Sequence, residues 1–248
     1  MSTRLSSRSA TYNALVVTAS RRSRKGLEFH AAWSWAKAID YGQNNGATPR
    51  TNGQFDPFNL GYDRGLSALN NSHKITASAI WEPELATRKR WLKLAANGWQ
   101  ASPLFVETSG RPYSYEIFGG TRLSGGHTSI NGSGGAVYLP TVGRDTLRLP
   151  ETVHVDLRIN RNIRITERLR LRASAEVFNL PNHVNYTSTT TRAYQEGVMA
   201  AGVTPLIFQD AAAIAVEGLN EQPFGAFTAS STGSSRERQM QFGLRLQF

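Results

Sequence analysis

The last ten residues of the chain alternate between apolar and polar side chains with a period of two. The apolar parity is occupied by Met240, Phe242, Leu244, Leu246 and Phe248, and the other parity holds glutamine, glycine and arginine. Because successive side chains of a β-strand point to opposite faces, this pattern predicts a strand with one wholly apolar face. The apolar row continues to Phe248 itself, which is more typical of a strand in lipid than of a soluble strand.

The same alternation predicts about six further strands along the chain. The clearest two occupy residues 153–165 and 169–177, and the short turn at residues 166–168 joins them into a hairpin. The others are predicted at residues 15–19, 27–36, 73–81 and 94–108. Pro103 cannot donate to a strand ladder, so the strand that contains it is expected at a sheet edge or with a bulge.

The connections between these strands alternate in length. Short ones are predicted at residues 21–26, 82–93 and 166–168, and long ones at residues 39–72, 109–152 and 179–236. A compact soluble domain seldom carries three such long loops, whereas outer-membrane barrels combine short periplasmic turns with long extracellular loops. No run of about 18 apolar residues is present, which excludes a transmembrane helix. The chain is therefore predicted to be all-β: an antiparallel transmembrane β-barrel segment spanning residues 1–248.

Charge placement is consistent with lipid on the apolar face. A charge costs roughly 2–4 kcal/mol at the centre of a lipid-facing strand and about 0–1 near its ends. With the C-terminus in the periplasm, the charged residues of apolar parity fall near strand ends. They are Lys37 and Glu107 at the outer side, and Lys93 and Arg161 at the inner side. Large aromatics also favour the ends, as in interfacial girdles: Trp35 and Tyr41 outside, and Trp81, Trp91 and Phe248 inside.

The net charge of +10 indicates a preference for anions. The polar strand faces carry a basic row, which is the candidate ligand-binding set: Arg158, Arg164, Arg170, Arg172 and Arg245. The simpler interpretation is that these arginines pair with Asp156, Glu176 and neighbouring residues. The chain has no cysteine and its five histidines are widely spaced, so no disulfide, metal site or cofactor is expected.

Catalytic chemistry is not indicated. His154 and Asp156 share a strand face, but no nucleophile can be assigned beside them, and a structural histidine is the simpler interpretation. The glycine-rich stretch at residues 119–135 lacks the strand–helix context and the lysine of a phosphate loop. We therefore expect no catalytic residues and no enzyme activity.

Several stretches resemble the C-terminal barrel region of TonB-dependent receptors, in particular the Oar-like group common in acidobacterial genomes. They include LEFHAAWSWAKAID, FDPFNLGYDRGLSALNNSHKITASAIWE, NGWQASPLFVETSGRPYS, DLRINRNIRITERLRLRASAEVFNLPNHVNY and the closing RQMQFGLRLQF. The resemblance implies a 22-stranded barrel with an N-terminal plug that handles solutes at the outer membrane. It also implies three kinds of partner: membrane lipid, an energy-coupling protein acting through the plug, and an unidentified solute. The apolar row that ends at Phe248 resembles the signal read by the barrel-assembly machinery.

The chain departs from that family near its start. The first residues show no signal peptide, no plug and no energy-coupling box, and seven strands are too few for the family's pore. The chain is accordingly expected to be the C-terminal piece of a receptor from a truncated reading frame. It would belong to the outer membrane as part of its parent, and alone it would not close.

Two other classes of protein agree less well with the sequence. A soluble basic β-protein that binds nucleic acid or other polyanions would need aromatics interleaved with basic residues on one exposed face. Here Trp33, Trp35 and Phe242 have the opposite parity to the basic rows, so no nucleic-acid partner is expected. A small passive porin is the third class, and the odd strand count and missing signal peptide oppose it.

Overall fold

A computed structural model describes residues 9–22, 26–42, 59–84, 86–118, 136–139, 142–217, 221–231 and 237–248. Seven strands of nine or more residues form its main sheet: β1 Thr11–Arg22, β2 Leu27–Asp40, β4 His73–Trp81, β5 Trp99–Thr108, β10 Thr152–Arg164, β11 Arg170–Phe178 and β16 Gln239–Gln247. The other strands are β3 Gly65–Leu66, β6 Pro112–Tyr113, β7 Glu116–Phe118, β8 Ala136–Tyr138, β9 Leu147–Arg148, β12 Tyr186–Thr189, β13 Arg192–Glu196, β14 Leu206–Phe208 and β15 Phe227–Ser230. The helices are a 3-10 turn at Leu60–Asp63, α1 at Arg90–Ala96 and α2 at Ala211–Glu217.

The seven long strands lie side by side in chain order, and every neighbouring pair is antiparallel. Their lengths run from 9 to 14 residues. A transmembrane β-strand needs about 9–11 residues, so each of them is long enough to span a bilayer. The seven strands expected from the sequence are confirmed, and so is the all-β antiparallel fold class.

The register brings all the apolar rows onto one face of this sheet. One row runs through Ala101, Ile159, Ala175 and Phe242, on four successive strands. Another joins Val17, Trp33 and Ile75 on the first three strands. Because a slip of one residue would move a strand's whole apolar set to the opposite face, this alignment specifies the pairing of every strand.

No protein layer covers the apolar face within the part of the chain that the structure describes. Phe242 and Leu244 are 79% and 78% exposed. The buried apolar residues are mostly elsewhere, in the outer connections: Ile117, Leu149, Ala193 and Ile214. In a soluble sandwich two apolar faces would pack on each other. Here the apolar face is left for lipid.

The described part of the sheet is open. Strand β1 is paired only with β2, and β16 only with β11, so the described residues show two free edges and no closure. An unpaired strand edge is intolerable in hydrocarbon, because each backbone N–H and C=O there lacks a partner. The sheet is thus an arc of a barrel wall, which agrees with the predicted partial barrel.

One strand boundary predicted from the sequence is wrong. Residues 94–96 were expected to begin β5, but they form the end of α1, and β5 starts at Trp99. Gly98 has a φ of +84°, the left-handed conformation that commonly ends a helix, and a Cβ there would lie 2.6 Å from the Asn162 carbonyl oxygen. Lys93 therefore belongs to a helix at the inner side of the sheet rather than to a lipid-facing strand.

The expectation for Pro103 is also wrong. It lies in the interior of the sheet, where β5 has β4 on one side and β10 on the other. The ladder to β10 continues past Pro103, which faces Leu157. The ladder to β4 instead skips from Ser78–Leu104 to Trp81–Ala101 without a change of register. The missing proline N–H is thus accommodated by a local gap in one ladder rather than by a bulge.

The three long outer connections contain secondary structure of their own. Strands β7, β8, β13 and β14 form one small sheet, and the pairs β6–β9 and β12–β15 form two more. We call these three sheets, together with the 3-10 turn, β3 and α2, the loop layer. The glycine-rich stretch singled out in the sequence, residues 119–135, lies outside the described residues.

Two small neighbouring residues of β4, which point to opposite faces of the sheet, provide a test of the lipid face. Ala77 lies on the apolar face in the middle of β4, and Ser78 lies on the polar face beside it. In bilayers, Ala77→Arg is expected to lower the free energy of unfolding by about 2–4 kcal/mol, because a guanidinium is forced into hydrocarbon. Ser78→Arg, the matched control, should change it by less than about 1 kcal/mol. Denaturant unfolding of the closed barrel that contains this chain, refolded in vesicles, measures both, and equal losses would contradict a lipid-facing assignment.

Candidate functional site

The polar face of the main sheet carries the arginines singled out in the sequence, and the register separates them into two sets. Arg158 lies opposite Glu176, in the middle of the face. Arg172 lies between Asn162 and Arg245, so two arginines are direct cross-strand neighbours. Arg164 and Arg170 face each other one step nearer the inner end of the sheet. Four of the five predicted residues therefore form one group, which we call the inner arginine cluster: Arg164, Arg170, Arg172 and Arg245.

Arg158 behaves as the simpler interpretation predicted. Its Nε lies 2.8 Å from Glu176 Oε1, which makes a cross-strand ion pair on the polar face. The Arg158 side chain is more than half exposed, so this pair contributes little to stability and mainly cancels charge. Asp156, the other expected partner, instead accepts a hydrogen bond from the Asn179 backbone N–H at 2.9 Å.

The inner arginine cluster makes no ion pair within the described residues. Arg172 Nε is buried there without a hydrogen-bond partner. Like charges on directly opposed strand positions repel each other, so the cluster raises the local positive potential unless an anion or an acidic surface compensates it. It lies on the face turned away from lipid, where an aqueous solute or another polypeptide segment could reach it.

A second feature on the polar face is a cavity of about 450 Å³ at the outer end of the sheet. Its floor is formed by Thr108, Thr152 and His154 at the outer ends of β5 and β10. Its walls come from the outer connections and include Asn71, Arg111 and Tyr186. Hydroxyl, amide, imidazole and guanidinium groups converge on it, so the cavity fits a small polar or anionic solute. We call it the outer pocket.

Two connections pack closely against each other through their backbones and form one side of the outer pocket. Gly110 follows the end of β5, and a Cβ at this position would lie 1.7 Å from the Leu149 carbonyl oxygen. Only glycine allows the two segments to approach so closely. Arg111 then accepts a backbone hydrogen bond from Leu149 at 3.0 Å. Ser109 donates from its hydroxyl to Asn71 Oδ1 at 3.0 Å, which fixes a third segment of the rim.

The motif FNLPNHVNY, which follows β11, builds the opposite rim. Asn185 pairs with the Val153 backbone as a strand would: its Oδ1 accepts from Val153 N at 2.7 Å and its Nδ2 donates to Val153 O at 3.1 Å. His183 Nδ1 lies 3.0 Å from Asn185 Oδ1. Asn179, with a φ of +50°, exchanges hydrogen bonds with the His183 backbone at 3.0 and 3.1 Å. The same two asparagines are next to the candidate acid–base residues: Asn185 lies beside His154, and Asn179 donates to Asp156. No hydrogen bond joins His154 to Asp156, both of which the structure describes.

A buried arginine fastens the loop layer to the sheet. Arg144 forms ion pairs with Asp40, at the outer end of β2, and with Asp145, and its Nε donates to the Asp63 carbonyl oxygen at 3.1 Å. Its side chain is only 3% exposed. Burial of a charge is costly unless it is paired and hydrogen-bonded, so these three contacts are what make the buried guanidinium tolerable. Sequence periodicity had given no indication of Arg144.

The loop layer also contains carboxyl groups whose pKa is raised above its ordinary value. Burial raises the pKa of Glu116, although the Thr191 hydroxyl donates to its Oε2 at 2.7 Å. Burial likewise raises the pKa of Asp145 in spite of the neighbouring Arg144. Tyr138, in the same region, has a pKa raised by burial and by the nearby acidic groups. Folding of the loop layer therefore takes several ionisable groups out of water.

The strand with the proposed assembly signal lies at one free edge of the sheet. Met240, Phe242, Leu244 and Leu246 point to the lipid face, opposite Val177, Ala175, Ala173 and Leu171 of β11, and Phe248 follows them with an exposure of 99%. Recognition by an assembly machinery remains a prediction. The aromatics required by the nucleic-acid alternative are on this same apolar face, with Trp33 and Trp35, and not among the arginines.

No group of three or more potential metal-ligating side chains occurs among the residues that the structure describes. Within those same ranges, none of the helices is both long and apolar enough to cross a membrane.

A single-layer antiparallel sheet with an apolar outer face, a polar inner face and a folded layer over one end defines a membrane β-barrel protein. The sequence agrees: the chain belongs to the family of outer membrane beta barrel domains, which it matches over residues 1–241. Family membership indicates the outer membrane as its location. No curated protein and no solved structure matches the chain.

The raised pKa of Glu116 gives a pH prediction. A folded pKa above the ordinary value of 4.5 means that the folded state binds its proton more tightly. The resulting stability is complete below that ordinary value and is lost as pH rises through the elevated pKa. The thermal midpoint of the loop layer, followed by near-ultraviolet circular dichroism of its aromatics, should therefore fall over this range.

The variant Glu116→Gln has no titrating group at this position, so it should lose the part of the pH dependence of the thermal midpoint that Glu116 causes and keep the part that Asp145 causes. The fold should be retained, because the glutamine amide oxygen can still accept the Thr191 hydrogen bond. Glu151→Gln, an exposed carboxyl before β10, is the matched control and should leave the slope unchanged. An unchanged slope in Glu116→Gln would refute the assignment.

Proposed function

We propose that this chain is the C-terminal part of the barrel of a TonB-dependent receptor of the Oar-like type, and that it takes part in solute uptake across the outer membrane. The observation that carries the proposal is the polar face. It combines an outer pocket beneath a folded loop layer with an inner arginine cluster that lacks acidic partners within the described residues. A solute-uptake barrel needs both a recognition site on its outer side and an inner wall that contacts something other than lipid.

The two free edges of the sheet also support a barrel larger than the arc described. The edge strands β1 and β16 are both long, and within the described residues each of them is paired on one side only. A lipid-embedded sheet must close on itself, so each of these edges needs a strand to pair with, and in the proposed larger barrel further strands fill that need. An energy-coupling protein acting through a plug, and the barrel-assembly machinery, are the partners that this proposal adds.

The first experiment asks whether uptake occurs and whether it is energised. Cells that carry the gene and cells that lack it are grown in one defined medium, and mass spectrometry follows which solutes each strain depletes. We expect at least one solute to be depleted only by the parent strain, and a protonophore to abolish that depletion. Equal depletion by both strains, or depletion that ignores the protonophore as in a passive porin, would overturn the proposal.

A pair of arginine variants tests the outer pocket. Arg111 lines it, whereas Arg148, an exposed arginine of the same layer in β9, does not. Arg111→Ala should reduce uptake of the identified solute by about tenfold or more, as expected when a charged hydrogen bond is removed. Arg148→Ala should leave uptake within about twofold. The measurement is the initial uptake rate at low solute concentration, and equal effects of the two substitutions would contradict binding in the pocket.

A further inference from the structure

The lipid face is not uniform, because it contains a depression next to its inner end. A groove of about 620 Å³ is floored by Ala173 and Ala175 of β11. Larger side chains wall it on both sides, with Trp99 and Ile159 towards β5 and β10, and with Phe242 and Leu244 on β16. The register explains this shape, because Ala173 and Ala175 each lie between larger residues on the two flanking strands.

At the inner end of the groove the apolar face carries a cation, Arg161. Arg161 pairs across the ladders with Trp99 and Ala173, and its Cζ lies 4.8 Å from the centre of the Trp99 ring. Its Nη1 also donates to the carbonyl oxygens of Ala95, at 3.1 Å, and of Asn97. Trp99 Nε1 donates to the same Ala95 oxygen at 2.9 Å. Arg161 and Trp99 thus hold the C-terminal end of α1 against the edge of the lipid face.

The segment that they hold is strongly basic. Arg88, Lys89, Arg90 and Lys93 fall within six residues, and no acidic residue occurs between Glu84 and Glu107. The side chains of Arg88, Lys89 and Lys93 are exposed, as is Trp91. Tryptophan flanked by lysine and arginine is typical of a membrane–water interface, where the cations attract anionic headgroups. This segment lies at the inner, periplasmic end of the strands.

We propose that α1, Arg161 and the adjoining groove form a binding site for one anionic phospholipid of the inner leaflet. An acyl chain lies over Ala173 and Ala175 between the aromatic walls, and the phosphate group lies among Arg161, Lys93 and Lys89. The occupant is fixed by two features that adjoin each other: an apolar slot open to the bilayer, and a cluster of cations at its interfacial end, of which Lys89 and Lys93 are exposed. No step of solute uptake enters this assignment.

The first test uses the unmodified chain, refolded in detergent and mixed with equal amounts of phosphatidylglycerol and phosphatidylcholine. Native mass spectrometry counts the lipid molecules that each protein retains. We expect one phosphatidylglycerol to be retained in preference to phosphatidylcholine, by at least about fivefold. Equal retention of the two lipids would overturn the proposal, because it would show a non-selective lipid annulus. That outcome would say nothing about solute uptake, so the lipid-site proposal and the solute-uptake proposal can fail independently.

Matched variants then test the two halves of the site. Arg161→Gln and a Lys89→Gln, Lys93→Gln double variant should each reduce the preference for phosphatidylglycerol, by about fivefold for every cation removed. The control is Lys37→Gln, a cation of the same apolar parity at the outer end of β2. Equal loss in the Lys37 variant would refute the site.

Filling the groove tests the acyl slot. Ala173→Leu should lower retention of phosphatidylglycerol severalfold, whereas Ala77→Leu, which enlarges an alanine of the same face outside the groove, should not. Far-ultraviolet circular dichroism confirms that each variant is folded. If Ala173→Leu retained the lipid as well as Ala77→Leu, the groove would not be part of the site.

Discussion

Backbone pairing in hydrocarbon is the constraint on which this structure depends. A strand in lipid must satisfy its N–H and C=O groups through its neighbours, since no water is present to do so. The seven long strands meet this requirement in one continuous antiparallel order, and the same pairing gathers every apolar row onto one face. Side-chain pattern and backbone pairing therefore specify the same register. Even Pro103, which removes a donor from the ladder to β4, leaves that register intact.

The polar half of the molecule is organised differently. The described residues bury few apolar side chains, and most of their buried groups are polar or charged. Asn185 substitutes for a strand in pairing with Val153, and Arg144 joins three segments through one guanidinium. Such networks are stable only when nearly every member is satisfied, so they specify one arrangement of the connections. That arrangement is what gives the outer pocket a fixed shape.

The strands could be predicted from the sequence because one face of each strand is apolar and the other is polar. This requirement produces a local alternation of side chains with a period of two. It fails where another local preference is stronger. At Leu94 the run WLKLAA favours a helix, and Gly98 ends it before β5 begins. Charge and parity indicated that arginines of the polar face would pair with acidic residues such as Glu176, but the cross-strand register was needed to show that Arg158 is its partner and that the other arginines form a group. The outer pocket was beyond prediction, because Asn71, Arg111 and His154 are brought together by contacts between connections distant in sequence.

The fastening of the loop layer by Arg144 has a consequence for the order in which the molecule forms. Its partner Asp40 is 104 residues away along the chain, and Asp40 occupies its position only once β2 has paired with its neighbours. Contacts across such separations form late, because the intervening chain must first be ordered. The barrel wall is thus the template and the loop layer is the last part to assemble. By the same reasoning the layer is the first part to unfold, and it can do so while every strand stays in the bilayer.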